Sequence, residues 1–351
     1  MKHFISLLLS LSLLIIAAPE CIASETLSLS AKSAVMLECS TKDTVFEKNA
    51  DVPMPMASTT KIMTAIVVLE NLPLDKSFTV ADKAVGIEGT SAYLKKGDTI
   101  TVEGALYALL LQSANDVATA LALEVSDSIE AFASLMNAKA RELSLSSTQF
   151  KNPSGLPADG HYTTARDLAR LAVYCLENKD FYRIVSSKTA TVEIGGESRT
   201  FVNHNRLLSS YSGAIGVKTG YTIESGRCLI GAAERDGVRL VTVTLSAPND
   251  WKDHKAMFDY GFGKYQSYKL YSERDFVISL PLSGRCEFVY LSPEGEKNIA
   301  LPKGKRIKVV IEAPRIIYAP IDKGATVAYA VFYVDGKELY RSPLKSLKKV
   351  T

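Results

Sequence analysis

The chain of 351 residues lacks the usual means of holding a metal: it has four histidines and five cysteines, with no C-x-x-C pair and no H-E-x-x-H. His161, His204 and His254 follow no ligand spacing, so a zinc enzyme finds no support and neither a metal nor a cofactor is expected. A surplus of charge is missing too. Forty-one lysines and arginines against 38 acidic residues leave a formal charge of +3, too weak to suggest nucleic-acid binding, and no basic run carries interleaved aromatics. Beyond the first 25 residues, no apolar run approaches the roughly twenty residues that a membrane-spanning helix needs. The catalyst, if there is one, is organic.

Cysteine is sparse as well. Cys21 falls in the leader described next, and Cys39, Cys175, Cys228 and Cys286 stand far apart. An exported chain permits disulfides, yet Cys39 and Cys228 sit inside apolar, strand-like runs, where a buried small hydrophobe is the commoner role.

What is present begins with Lys2, a leucine-rich stretch over residues 4–18 and small residues ending at Cys21-Ile22-Ala23. This reads as an export signal over residues 1–23, cleaved near Ala23. Its apolar core is too short to span a bilayer, and Glu20 before Cys21 argues against a lipid-bearing cysteine. The mature chain is expected outside the cytoplasm, secreted or wall-associated. Its length, about 330 residues, suggests two domains.

Residues 33–50 read as two strands around a Ser40-Thr41-Lys42-Asp43 turn. From Ser58, the apolar positions Ile62, Ala65, Ile66 and Leu69 recur with helical spacing, which predicts a buried helix starting there. Helical patterning continues over 102–143, and Thr163-Thr164-Ala165-Arg166-Asp167 opens another helix to about Leu176. Three antiparallel strands follow, the last two joined by an Asp236-Gly237 turn of type I′. A closing helix is predicted over 254–265. From about Tyr271 to residue 351 the pattern is all strands and turns, including an Asp335-Gly336 hairpin, which marks a separate β domain. The basic tail Lys345-Ser346-Leu347-Lys348-Lys349 reads as a solvated terminus.

Three short motifs recur in order: Ser58-Thr59-Thr60-Lys61, Ser113-Ala114-Asn115 and Lys218-Thr219-Gly220. Residues three apart share a helix face, so the Ser58 hydroxyl and the Lys61 amine can meet. Lysine accepts a proton only when neutral, and burial together with a second cation, for which Lys218 is the candidate, would depress its pKa. A serine at a helix start also sets backbone N–H groups beside an attacked carbonyl. Ser113 and Asn115 fall at a helix junction, where capping is an adequate explanation that does not exclude catalysis. Gly220 interrupts an apolar strand, which suggests that something approaches its backbone closely. An extended peptide could add to that strand while Lys218 and Thr219 meet a carboxylate; a lysine exposed before a bulge is the structural alternative.

These motifs, with MASTTKIMTA (56–65), LLQSANDVA (110–118), KNPSGLPADGHYTTARDLA (151–169) and KTGYTIESGRCLIGAAERDG (218–237), make the chain resemble low-molecular-mass penicillin-binding proteins, the serine-type D-alanyl-D-alanine carboxypeptidases of the S11 peptidase family. The resemblance implies an α/β (α+β) catalytic domain over 24–268, with a central antiparallel sheet flanked by helices as in β-lactamases and transpeptidases, and a small sandwich-like β domain over 271–351. It implies Ser58 as nucleophile, Lys61 as general base, and Ser113 with Asn115 in proton relay and substrate holding. Lys218 and Thr219 would bind the substrate carboxylate, beside Gly220. The N–H groups of Ser58 and Tyr221 would form an oxyanion hole. The implied partners are a peptidoglycan stem peptide and, as covalent inhibitors, β-lactams.

A class A β-lactamase shares the three motifs but needs a glutamate in an E-x-x-L-N segment. The corresponding stretch, STQFKNPSGLPADGHYTT, has none. A noncatalytic wall-binding protein on the same fold would not need every one of these side chains. Many relatives end in an amphipathic helix on the membrane, whereas SPLKSLKKVT is too short for one, so weak or absent membrane association is expected.

Overall fold

The computed structural model describes residues 27–273, 275–284 and 287–351. The export signal, its cleavage point and Cys286 lie outside the described residues. The chain opens with the expected hairpin, β1 (Ser33–Glu38) and β2 (Thr44–Lys48). Its turn is closed by Glu38, whose Oε2 accepts hydrogen bonds from the backbone N–H and hydroxyl groups of both Ser40 and Thr41. Helix α1 (Lys61–Asn71) follows, entered through a single 3-10 turn at Ala57–Thr60. The helical run therefore starts where expected, but as a tighter turn that places Ser58 ahead of the α-helix proper.

A ribbon of β3 (Ser77–Thr79) and β4 (Thr99–Thr101) leads into α2 (Val102–Tyr107), a π-helical turn at Ala108–Gln112, α3 (Asn115–Val125) and α4 (Ile129–Glu142). Helix α5 (Ala165–Glu177) is capped by Thr164, whose hydroxyl accepts the Asp167 N–H. Helix α6 (Lys179–Ser186), the hairpin β5 (Thr189–Ile194) with β6 (Glu197–Val202), and short α7 (Leu207–Ser210) had no clear signal in the pattern. Strands β7 (Ala214–Thr222), β8 (Gly226–Arg235) and β9 (Val238–Leu245) complete a five-stranded antiparallel sheet of order β2-β1-β9-β8-β7. Asp236 and Gly237 both have positive φ, +49° and +75°, as a type I′ turn requires. Helix α8 runs Asp250–Lys264, a turn earlier than expected, with Asp250 and Asp253 favourably placed in its first turn.

The sheet is covered on both faces, and strand periodicity sorts the residues. Val35 and Leu37 enter the large core with Ile66, Leu106 and Val241. Their neighbours Ala34 and Met36 face the opposite core with Met257 and Phe258 of α8. Among the described residues, β7 pairs with one strand, β8, and so stands at the edge of the sheet.

The C-terminal part is all β, with its own core. Strand β10 (Tyr265–Ser272) pairs with β13 (Glu296–Pro302). A second sheet runs in the order β11 (Ile278–Pro281), β12 (Phe288–Ser292), β16 (Lys337–Ser346), β15 (Thr326–Val334) and β14 (Ile307–Glu312). Tyr271, Leu291, Phe332 and Leu344 meet between them. Asp335 and Gly336 turn the last hairpin at positive φ.

The sequence reading of the tail holds only in part: Leu347, Lys348 and Lys349 are exposed, whereas Lys345 and Ser346 belong to a strand. Residues 342–346 continue β16, Leu344 is fully buried, Lys345 pairs with Glu294, and Val350 exchanges backbone hydrogen bonds with Ile321. The basic composition hid the strand because Lys345 stands between two buried residues, Leu344 and Ser346. Among the described cysteines, Cys175 and Cys228 are buried thiols and Cys39 is half-buried, its pKa pushed up to about 12 chiefly by burial. Leu344→Ala should lower the stability of the C-terminal part by about 2–5 kcal/mol. Urea unfolding followed by near-ultraviolet circular dichroism would show it as an earlier transition; an unchanged midpoint would mean that the tail carries no packing energy.

Candidate active site

Lys61 opens α1 with no solvent exposure. Its Nζ lies 3.0 Å from Ser58 Oγ, 2.7 Å from Asn115 Oδ1 and 2.6 Å from the Ser154 carbonyl oxygen. The last two atoms can only accept. A neutral amine has two N–H bonds and one lone pair, so the two acceptors take both hydrogens and the lone pair is left for the Ser58 hydroxyl. Burial favours this neutral state, lowering the Lys61 pKa well below 10.5, and the nearby Lys218 lowers it further. The carboxylate of Asp116 acts in the opposite sense and does not win.

Ser154 had no place in the motif reading, because its contribution is a backbone oxygen. Asn152 sets it: Oδ1 accepts the N–H groups of Ser154 and Gly155, at 3.1 and 2.7 Å, and Nδ2 donates to the Leu156 carbonyl. Thr64 of α1 donates to the Pro153 carbonyl at 2.6 Å, tying this loop to the helix that carries Lys61. Gly155 packs so closely that a Cβ there would fall 1.9 Å from the Ala57 carbonyl oxygen.

Ser113 and Asn115 come to the same place from the opposite wall. The π-helical turn ends at Ser113 in a left-handed conformation, φ +68°, which ends the helix and turns the chain. The capping explanation fails: the N-cap of α3 is Ala114 with no side-chain bond. Asn115 instead accepts from Lys61 and donates to the Glu88 carbonyl at 2.6 Å, which fixes its amide orientation. Asp116 pins the adjoining loop by accepting from the Ser91 hydroxyl and the N–H groups of Ala92 and Leu94.

On edge strand β7, Lys218 is 1 % exposed, which rules out the exposed-lysine alternative. Burial lowers its pKa to about 7, and Nζ donates to the Thr219 carbonyl at 2.9 Å. Gly220 has the close neighbour that its position suggested, but it is the protein itself: a Cβ would lie 3.1 Å from the backbone nitrogens of both Ser58 and Thr59. Tyr221 is 66 % exposed. Ser58, Ser113, Thr219, Gly220 and Tyr221 line one cleft of about 310 Å³, with Lys61 and Lys218 buried beneath it. Arg206 and Arg227 also line this cleft. Neither was found from sequence, since an isolated arginine on a loop or strand carries no signal. Arg227 is held by Asp250 at 3.0 Å and lies over the Trp251 ring. Among the described residues, no cluster of His, Cys, Asp and Glu could hold a metal.

Comparison with known proteins places the chain in a family. Residues 20–249 match the peptidase S11 model, described as D-alanyl-D-alanine carboxypeptidase. The chain belongs to that family. Residues 263–351 match the C-terminal domain of penicillin-binding protein 5. The chain is similar to D-alanyl-D-alanine carboxypeptidase DacF of Bacillus subtilis, 33 % identical over 98 % of this chain and 93 % of that protein. DacC of Escherichia coli is 30 % identical over 96 % and 89 %. Among solved structures, carboxypeptidase DacD of Francisella tularensis superimposes with a TM-score of 0.66 at 28 % identity, covering 92 % of this chain and 94 % of that one. The Streptomyces K15 DD-transpeptidase covers 67 % of this chain and 98 % of its own, at 35 % identity and a TM-score of 0.64.

The buried lysines weigh against stability. An unfolded Lys218 titrates near 10.5 and the folded one at about 7, so between those values the unfolded chain holds a proton that the folded one lacks. Stability at this site therefore rises with pH over that window and is lowest below it. Lys218→Met should raise the melting temperature at pH 7. Differential scanning calorimetry at pH 7 and 10 tests this, with a smaller gain expected at pH 10. A lower melting temperature at pH 7 would contradict the cost assigned to the buried amine.

Proposed function

We propose that this protein is a serine-type D-alanyl-D-alanine carboxypeptidase acting on peptidoglycan stem peptides through an ester on Ser58. The observation that carries the reading is the Lys61 amine, buried, driven toward neutrality and 3.0 Å from the Ser58 hydroxyl. Lys61 Nζ takes the hydroxyl proton as Ser58 Oγ attacks the carbonyl carbon of the penultimate D-alanine. The tetrahedral oxyanion is received by the N–H groups of Ser58 and Tyr221. As the C–N bond breaks, the proton passes to the departing amino group, with Ser113 completing the relay. Terminal D-alanine leaves, water adds to the ester, and Ser58 is restored.

Substrate holding follows from the cleft. The peptide pairs with the free edge of β7. Lys218, in its protonated form, and Thr219 take the terminal carboxylate, and Gly220 allows Ser58 to sit against the strand. Asn115 holds both Lys61 and the substrate. Penicillin acylates Ser58 as a substrate mimic. Its ester is released slowly, because residues 147–164 supply no glutamate to activate water as in class A β-lactamases. The catalytic unit of residues 24–268 gives way to the β unit of 271–351 within β10, and the latter acts as a scaffold outside the cytoplasm.

Incubation with penicillin should add one antibiotic mass to the wild type and none to Ser58→Ala, read by intact-protein mass spectrometry. An adduct that survives in Ser58→Ala would remove Ser58 from its role. Lys61→Ala should slow acylation by about 10²–10⁴-fold.

The acylation rate should climb with pH as Lys61 loses its proton, at a pH well below 10.5. Because the Lys218 charge lowers the Lys61 pKa, Lys218→Met should move that limb to higher pH. A limb that stays in place, or moves down, would contradict the coupling.

A further inference from the structure

The residue before the nucleophile has an unfavourable backbone. Ala57 has φ +47°, a left-handed conformation that costs an L-residue roughly 1–2 kcal/mol. Something must hold it there. The Ala57 carbonyl accepts a hydrogen bond from Thr60 Oγ1 at 2.8 Å, and Thr60 Oγ1 also lies 2.8 Å from His161 Nε2.

The direction of each bond follows from proton counting. His161 Nδ1 faces the Lys151 backbone N–H at 3.0 Å, which can only donate, so Nδ1 accepts. The proton of the neutral ring is therefore on Nε2 and is donated to Thr60 Oγ1. That hydroxyl has one proton of its own, and it goes to the Ala57 carbonyl. The chain Lys151 N–H to His161 to Thr60 to Ala57 has a single consistent polarity. A protonated imidazolium would set two donors against each other at Lys151. Burial keeps the ring neutral, with its pKa near 4, and Phe150 packs edge-on against it at 6.0 Å.

We propose that His161 is a positioning residue for acyl transfer: through Thr60 it fixes the Ala57 carbonyl, and so the aim of the Ser58 N–H and hydroxyl. This rests on Ser58 being the acylated residue. The segment 151–161 then serves both reacting partners. At one point, Ser154 O holds the Lys61 amine; at the other, His161 holds the turn that carries Ser58. A change at either end alters the separation between nucleophile and base. His161 touches neither substrate nor base, so its loss should act on the rate of the chemical step more than on binding.

The test compares His161→Phe, His161→Gln, Thr60→Val and Thr60→Ser in penicillin acylation and in hydrolysis of a peptide ending in D-alanyl-D-alanine. Phenylalanine keeps the ring and loses both bonds; glutamine can accept from Lys151 and donate to Thr60. His161→Phe should lower kcat and the limiting acylation rate by roughly 10- to 100-fold with KM nearly unchanged. His161→Gln should recover most of the loss. Thr60→Val should match His161→Phe, Thr60→Ser should resemble the wild type, and the double variant His161→Phe with Thr60→Val should be no slower than either alone. If His161→Phe does not fold, the valine and serine variants at Thr60 carry the comparison. The relay is overturned if folded His161→Phe or Thr60→Val keeps the wild-type rate, if the loss appears only in KM, if glutamine fails to rescue, or if the two losses multiply. Labelling of Ser58 in the wild type tests the underlying reading separately, and an unlabelled wild type would overturn both.

Discussion

The site is organised around one buried amine. Lys61 has no exposure to water, and an ammonium ion in that position would lose its hydration at a cost of several kcal/mol. The fold removes the difficulty by favouring the neutral base and giving its two hydrogens to Asn115 and Ser154. The remaining lone pair is what a serine nucleophile requires. Lys218 pushes the same way, a second cation too close for both to hold their protons easily. Each motif contributes one boundary of this arrangement: the helix start, the opposite wall and the edge strand.

Holding that geometry depends on backbone conformations that are unfavourable in isolation. Ala57 and Ser113, each next to or within a motif, are left-handed, at a typical cost of about 1–3 kcal/mol apiece. Their surroundings over-determine them. Gly155 lets the loop approach the Ser58 turn more closely than any side chain would permit, Gly220 lets the strand come where a Cβ would be tight, and Asp116 gathers the loop at 91–94 against α3. Behind these contacts stands a sheet covered on both faces. The large core packs against α1, and Lys61 at the start of that helix is fully buried.

Much of this was legible in the residues. Helical spacing from Ile62 to Leu69 located α1, and Asp236-Gly237 and Asp335-Gly336 located two hairpins, because these signals depend on local backbone chemistry. The pairing of Ser58 with Lys61, and the depressing charge of Lys218, followed from side-chain type and order. What could not be read were contacts made by backbone or across long loops. Ser154 acts through its carbonyl, His161 lies 101 residues from Thr60, and Arg227 reaches the cleft through a strand register that no short pattern encodes. Gly220 was noticed for the right reason, a close approach, but the approaching group is the Ser58 turn. The start of the basic tail misled for the converse reason: composition hid that Lys345 and Ser346 continue β16 past the buried Leu344.

The central claim is that the Lys61 amine gives up its proton well below the pH at which an ordinary lysine does. Nuclear magnetic resonance of protein carrying 13C-labelled lysine, with the Lys61 Cε signal assigned by its loss in Lys61→Arg, measures this directly. The account predicts a Cε shift that titrates well below the ordinary lysine range. A signal that titrates near 10.5, as a solvated lysine does, would contradict it.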